Sequence, residues 1–236
     1  MITFKLQSVD STSLFLKSYL SLNAASEAVL CASESQTAGY GQNGRNWHSN
    51  HRSLTFTLAL PIDSNFVTPM ISVVTACLIR EVFLSFTNQQ LFVKWPNDIY
   101  DEKGKISGCL IELVKSLNKQ YFLNIGIGIN LSQPESSSDS SYSASYLDVE
   151  SKDNLLDALV AKLSLLPSIT LDEYRLKLLE LPTFDYFSIG QSVIVYDCDS
   201  QWPGEYLGLN PDGFPIVLIN GAQQIFNSGR TSIRPT

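Results

Sequence analysis

The chain has 236 residues, 44% of them hydrophobic and 17% charged, with a formal net charge of −7. That balance supports a folded core and excludes a disordered chain, and the length fits one main domain with a small appendage. An acidic chain without a Lys/Arg run argues against a surface that tracks nucleic-acid phosphates. The opening M-I-T-F-K-L-Q-S-V-D has the features of neither a signal nor a transit peptide, and no apolar run is long enough to cross a membrane. A cytoplasmic protein with no membrane partner is the expectation. Cys31, Cys77, Cys109 and Cys198 lie far apart, three of them in apolar surroundings that read as ordinary buried thiols, and His48 and His51 have no acid or thiol near them at metal-ligand spacing. No zinc site is expected.

In chain order, residues 2–9 alternate enough for a strand. Ser11 or Ser13 then offers an N-cap to a helix carrying Leu14, Leu16, Tyr19 and Leu20. Ala28–Ala32 reads as a buried strand. The polar, glycine-bearing stretch Glu34–Arg52 follows, long for a passive connection. Ser53–Leu60 is a strand by alternation, stopped by Pro61, and Pro69–Phe86 carries Ile71, Val74, Leu78 and Val82 at helical spacing. Leu91–Trp95 is a short strand that ends before Pro96. Asp101–Gly104 is a turn, and Lys105–Val114 pairs with Tyr121–Ile129 as a hairpin. The serine-rich run Ser132–Ser145 reads as a mobile surface loop, and two helices follow over Lys152–Leu166 and Leu171–Leu181. From Tyr186 the texture changes to short strands: V-I-V-Y, E-Y-L-G-L, P-I-V-L-I and Q-Q-I-F, with N-P-D-G as a turn. The expected architecture is α/β: a mixed sheet with packed helices over residues 1–184, then a small antiparallel β-barrel over 185–236.

Two stretches carry chemistry. Gln36–Trp47 reads Q-T-A-G-Y-G-Q-N-G-R-N-W, and Gly39, Gly41 and Gly44 let its backbone approach a ligand and aim N–H groups at an anion. Arg45 adds a rigid cationic fork, and Trp47 a flat surface for a base. On spacing alone a surface loop anchored by its tryptophan explains the same residues. Lys94–Asp98 reads K-W-P-N-D at a strand end, with Lys105 and S-G-C-L-I-E beyond it. The proline forces a tight exit that presents Asn97 and Asp98 at the sheet rim, where α/β domains bind ligands. Each residue alone is ordinary turn chemistry; the combination is not.

These residues resemble the biotin–protein ligases, which share a catalytic fold with lipoate–protein ligases and octanoyltransferases. The resemblance runs in order through D-S-T-S at Asp10–Ser13, the Gln36–Trp47 loop and K-W-P-N-D. It continues through K-x-x-G at Lys105–Gly108 with Glu112, and G-I-G-I-N at Gly126–Asn130. It implies a short-form ligase that activates biotin with ATP and Mg²⁺ and transfers it to a lysine of a biotin carboxyl carrier protein. Longer family members carry an N-terminal DNA-binding domain. Here the first motif begins at Asp10, so a ligase without DNA binding is expected, as a monomer or homodimer.

The resemblance also implies roles. Ser11, Thr12, Ser13 and Gln36 would surround the biotin head. The Gly39–Tyr40–Gly41–Gln42 backbone would wrap the acyl-phosphate, with Gly108 beside it. Arg45, Trp47, Asn97 and Asn130 would hold the nucleotide, Trp47 by stacking on adenine. Lys105 would reach the oxygens where charge collects, so Asp98, Lys105 and Arg45 form the expected catalytic set. Freeing a lysine amine of pKa near ~10.4 at pH 7 costs roughly 4–5 kcal/mol; Asp98 is the carboxylate placed to act as base or to position that amine.

Two departures stand out. Many members carry G-R-G-R in the loop where this chain has G-Y-G-Q, with Tyr40 and Gln42 replacing arginines. A charge-assisted hydrogen bond is worth about 1.5–3 kcal/mol, so an anionic adenylate is expected to be held less tightly. Near the end, G-R-T-S-I-R places Arg230 where an acidic residue is common, and no role is carried onto that segment. The competing readings are a biotin-binding regulator without catalysis and a lipoate–protein ligase. The second calls for an arginine-rich loop with three consecutive glycines, which the chain lacks.

Overall fold

A computed structural model describes the chain except residues 50–51, 64–65, 67–69, 134–142, 198–199 and 228–230. His51, Pro69, Cys198, Arg230 and most of the serine-rich run therefore lie outside the described residues.

A seven-stranded mixed sheet forms the main body, in the order β1-β2-β3-β7-β6-β5-β4. Its strands are β1 (Ile2–Leu6), β2 (Val29–Ser33), β3 (Ser53–Ile62), β4 (Phe92–Lys94), β5 (Asp98–Tyr100), β6 (Lys105–Lys115) and β7 (Tyr121–Asn130). β1 and β2 run parallel, and every other neighbouring pair is antiparallel. α1 (Thr12–Leu22) makes the crossover between β1 and β2, since parallel neighbours need a connection of that length. Ser11 is its N-cap: extended in backbone, with Oγ accepting from Leu14 N–H.

The interior strand β3 is buried along nearly its whole length because both sheet faces are covered. Its large residues Leu54, Phe56, Leu58 and Leu60 join the core that holds α2 (Ile71–Phe83) and α3 (Lys152–Leu163). Its smaller residues Thr55, Thr57 and Ala59 alternate with them, and Ala59 packs with Leu16 and Leu20 of α1. This small-residue face leaves room for a pocket. The strand runs through Pro61 rather than stopping there. Pairing with β2 ends at Ala59, so Pro61 sits where β3 has become an edge on that side, a position that tolerates proline.

α4 (Leu171–Glu180) opens on a full capping box, Thr170 with Glu173. Beyond it lie β8 (Ser192–Asp197), β9 (Ser200–Leu209), β10 (Pro215–Ile219), β11 (Ala222–Ile225) and β12 (Thr231–Pro235). The expected barrel is corrected here. These strands form an open sheet, β11-β10-β9-β8-β12, in which no pairing among the described residues joins β11 to β12. β11 is four residues long and exposed throughout, too short and too polar to close the ring. β12, which the texture did not reveal, pairs with β8 at the other edge of the sheet.

That sheet is fastened to the larger one. Val193, Val195, Tyr206, Val217 and Ile233 belong to the same buried cluster as the main sheet's residues. Trp95 Nε1 donates to the Gly213 carbonyl at 2.9 Å, across to the N-P-D-G turn. Residues 184–186 extend the β4 edge, with Val93 N–H donating to Phe184 O and Tyr186 N–H to Val93 O. Arg80 stacks on Phe184 with its guanidinium carbon 4.0 Å from the ring centroid. Burial pushes the Asp185 carboxyl up to about 6 even though it accepts a hydrogen bond from Tyr206 OH at 2.6 Å. No helix among the described residues is long and apolar enough to cross a membrane.

Candidate active site

Because β1 and β2 are parallel neighbours, the chain leaves both at the same rim. Val9 N–H donates to Ser35 O, Thr37 N–H to Val9 O and Ala38 N–H to Asp10 O, so D-S-T-S and Q-T-A-G continue side by side. Thr12 therefore meets Gln36: its N–H and hydroxyl donate to Gln36 Oε1 at 2.8 and 3.0 Å. Thr12 Oγ1 also lies 2.8 Å from Thr57 Oγ1 on β3. From here the glycine-bearing stretch folds back as a narrow hairpin. Tyr40 pairs with Asn46, Gly41 N–H donates to Arg45 O, and Trp47 N–H donates to Gly39 O. Its turn uses positive φ at Asn43 (58°) and Gly44 (70°), which suits those two residue types. Gly39 is needed for a closer reason: a Cβ there would stand 2.7 Å from Trp47 O and 2.8 Å from Gln36 Nε2.

The second rim comes from K-W-P-N-D. The chain exits β4 through Trp95–Pro96 and returns at once as β5, a strand the sequence did not announce, which pairs Asp98 with Gly108 of β6. Asp98 Oδ1 and Lys105 Nζ form an ion pair of 2.7 Å, with side chains 21% and 14% exposed. A Cβ at Gly108 would lie 2.9 Å from Asp98 Oδ1 and 3.1 Å from Lys105 Nζ, so glycine leaves that pair its room. Gly128 does the same for Trp47: the indole lies so close that a Cβ would stand 2.2 Å from its Cε2. Trp47 Nε1 is buried there with no partner among the described residues.

Between the rims lies a cavity of about 820 Å³, within the range of small-molecule sites. Ser11, Thr12, Ser13, Gln36, Tyr40, Gly41, Gln42, Arg45, Trp47, Asn97, Asp98, Lys105 and Gly108 all line it. Gly39 and Asn130 are not among the lining residues. Asn130 instead donates from Nδ2 to Lys105 O (3.3 Å) and Ser145 O (3.0 Å). It thus ties the lysine's backbone to residues 143–147, and Lys105 N–H completes that tie at Ser143 O. Asn97 donates its amide to Cys109 O while remaining at the pocket wall.

Sequence reasoning missed four contributors. Thr57 faces the pocket from β3; the alternation of Thr55, Thr57 and Ala59 was its signal. Arg234 reaches the pocket on β12 and stacks on Tyr196 at 4.7 Å, and only the packing of the two sheets brings it there. Lys94, inside the motif yet assigned no role, sits among Tyr100, Tyr186 and Phe187 with its ammonium 4.9–5.8 Å from their centroids. Burial, against the pull of Asp98 and with help from Lys105, Arg234 and Arg45, lowers its pKa to about 8. The fourth is Lys17, four residues beyond Ser13 and so on the same helix face. Its ammonium contacts Glu112 Oε1 at 2.5 Å and Tyr40 OH at 2.9 Å. Among the described residues no three acids, thiols or imidazoles gather as a metal cage.

Compared with known proteins, residues 4–130, more than half of the chain, match the model of the biotin/lipoate A/B protein ligase family. The chain belongs to that family. Among its relatives is the bifunctional ligase/repressor BirA of Bacillus subtilis, 32% identical over 119 residues. The biotin–[acetyl-CoA-carboxylase] ligase of Mycobacterium tuberculosis is 30% identical over 129 residues. These matches span 48% and 45% of this chain and only 36% and 41% of the relatives' lengths. The fold is likewise that of the family. A biotin protein ligase from Aquifex aeolicus, solved in complex with biotin and ATP, superposes with a TM-score of 0.84 at 24% identity, over 100% of this chain and 99% of that one.

Proposed function

We propose that the protein is a biotin–protein ligase: it joins biotin to ATP as biotinyl-5′-AMP and passes the biotinyl group to a lysine of a biotin carboxyl carrier protein. The observation that carries this reading is the Asp98–Lys105 pair facing the glycine-bearing hairpin across one pocket. Joining a carboxylate to an α-phosphate brings two anions together, so the site must supply positive charge where it develops. Arg45, Lys94, Lys105 and Arg234 converge on the pocket and supply it. At the other end Ser11, Thr12, Gln36 and Thr57 offer a neutral, hydrogen-bonding wall suited to a ureido ring. Trp47, whose N–H has no partner among the described residues, offers a flat surface for adenine and a donor for a ligand acceptor. Asp98 is the carboxylate positioned to relieve the incoming lysine of its proton.

Mg²⁺ fits this site as a companion of the nucleotide, since it binds through one or two carboxylates plus phosphate oxygens and needs no protein cage. Bound there, it would neutralise phosphate charge during attack. Glu102, at the pocket wall, is the carboxylate not engaged by Lys105 or by the Asp101 turn that could face it. The relatives' names support the choice of biotin, and the cationic pocket supports turnover over a purely regulatory binder.

The test is transfer of biotin to a purified biotin carboxyl carrier domain with ATP and Mg²⁺, alongside lipoate and no-ATP controls. ATP-dependent labelling of the carrier lysine by biotin alone is expected. Labelling by lipoate alone would overturn the choice of substrate, and biotin binding without transfer would overturn catalysis.

A further inference from the structure

The hairpin's hold on the body of the protein rests on a group of side chains outside the motifs. Glu112 of β6 accepts from Ser13 Oγ at 2.9 Å and from Tyr40 OH at 3.0 Å on one oxygen, and from Lys17 Nζ on the other. Lys17 also donates to the Tyr40 hydroxyl, and its ammonium lies 5.4 Å from the tyrosine ring centroid. Beneath them, buried Asn124 donates to Ser13 Oγ at 2.8 Å. The Lys17 and Glu112 side chains are 30% and 26% exposed, so their pairing is only partly screened by solvent. Burial alone would weaken the Lys17 ammonium, but the hydrogen bonds to Glu112 and Tyr40 outweigh it and hold its pKa above the ordinary lysine value.

The geometry joins three separate elements. Ser13 and Lys17 stand one turn apart on α1, Glu112 lies on β6, and Tyr40 is the hairpin residue that reaches down to both. Neither Lys17 nor Glu112 lines the pocket. We propose that Lys17 is a positioning residue for ligand binding: through Glu112 and the Tyr40 hydroxyl it holds the glycine-bearing hairpin closed over the ring end of the pocket before any ligand arrives. The occupant's identity as biotin rests on the reading above; the closing of the hairpin does not.

The chemistry of the latch follows from its charges. Glu112 accepts from two hydroxyl donors, and Lys17 is the cation that balances its charge. Without that ammonium the carboxylate would draw in water or a proton, Tyr40 would lose one of its anchors, and the hairpin would open more often. A ligand would then have to order the hairpin itself, which weakens binding and speeds release.

The experiment uses Lys17→Met, with Lys17→Arg as the conservative variant. Lys17→Met is expected to raise the biotin KM and dissociation rate about tenfold, the scale of one charge-assisted hydrogen bond, with kcat and the ATP KM moving less. Lys17→Arg should recover most of the loss. In the ligand-free protein, the amides of Gly41 and Trp47, which close the hairpin, should exchange faster with solvent in Lys17→Met. Wild-type biotin kinetics together with wild-type amide exchange would overturn the latch, as would a fall in kcat with the biotin KM intact. If the wild-type protein binds no biotin, the proposed substrate falls, and amide exchange alone decides the latch. Should Lys17→Met fail to fold, Tyr40→Phe, which removes only the hydroxyl, is put through the same measurements.

Discussion

The two ends of the pocket are built on opposite electrostatic plans. At the hydroxyl-rich end most polar side chains pair with one another, Thr12 with Gln36 and Thr57, and Ser13, Tyr40 and Lys17 with Glu112, although the buried Asn124 Oδ1 has no partner among the described residues. At the other end Arg45, Lys94, Lys105 and Arg234 gather with Asp98 as the close counter-charge, and Trp47 keeps a buried N–H without a partner among the described residues. A neutral ring is best met by a rigid, pre-paired wall, because each bond it makes replaces one of similar strength and little must move. A polyanion is best met by cations held ready, whose mutual repulsion Asp98 offsets only in part until it binds. One end is therefore neutral and largely paired within itself, and the other is crowded with positive charge.

Substitutions can break that contrast, and the largest effect is expected at the cationic end. Lys105→Met should lower biotin-dependent ATP–pyrophosphate exchange by about 10²–10³-fold, the scale for losing one preorganised charge donor, while biotin still binds. An equal loss of biotin affinity would show that the two ends are not separate. Next comes Gln42→Arg, which adds a cation at the loop position where the resemblance implies one. Release of preformed biotinyl-AMP should slow by about ten- to a hundredfold. An unchanged release rate would mean that the existing cations already hold the intermediate. Gly128→Ala forces the Trp47 ring out of its seat, since the added carbon would stand 2.2 Å from it. A rise of about tenfold in the ATP KM is expected, from an overpacking strain of about 1–3 kcal/mol, with a smaller change for biotin. The smallest effect is one of pH. Lys94 has its pKa lowered to about 8. It is charged below that pH and neutral above it, so kcat/KM for ATP should fall a few-fold between pH 7 and 9 while biotin binding stays level. A parallel fall in both would place the titrating group elsewhere.

Much of the fold was legible because it is written in local patterns. Alternation and punctuation marked β1, β2, β6, β7, β8, β10, β11 and the second half of β9, a capping serine marked α1 and helical spacing α2, and α3 and α4 were read close to their observed bounds. The misses have particular causes. β5 is three residues long, too short for any period to identify it although Ile99 and Tyr100 are strand-forming types; it exists because the exit from β4 returns along β6. Residues 143–145, read as part of a mobile loop, bind the Lys105 backbone, and the cue was Gly104, where a side chain would meet Ser143 O at 2.3 Å. The barrel failed to close because closure depends on strand length and shear, which neighbouring residues do not encode.

The site divides along the same line. By itself the sequence determined which residue types were present and in what order: the glycines that permit close approach, Arg45, Trp47, Asp98 and Lys105. Those choices are local, fixed by what a turn, a strand end or a charge can do. Only the tertiary structure decided that Lys17, Thr57, Lys94 and Arg234 join them, and that Asn130 serves the lysine's backbone rather than the pocket wall. Long-range partners follow from sheet register and from one sheet packing on another, and a linear pattern carries no record of distance across a fold.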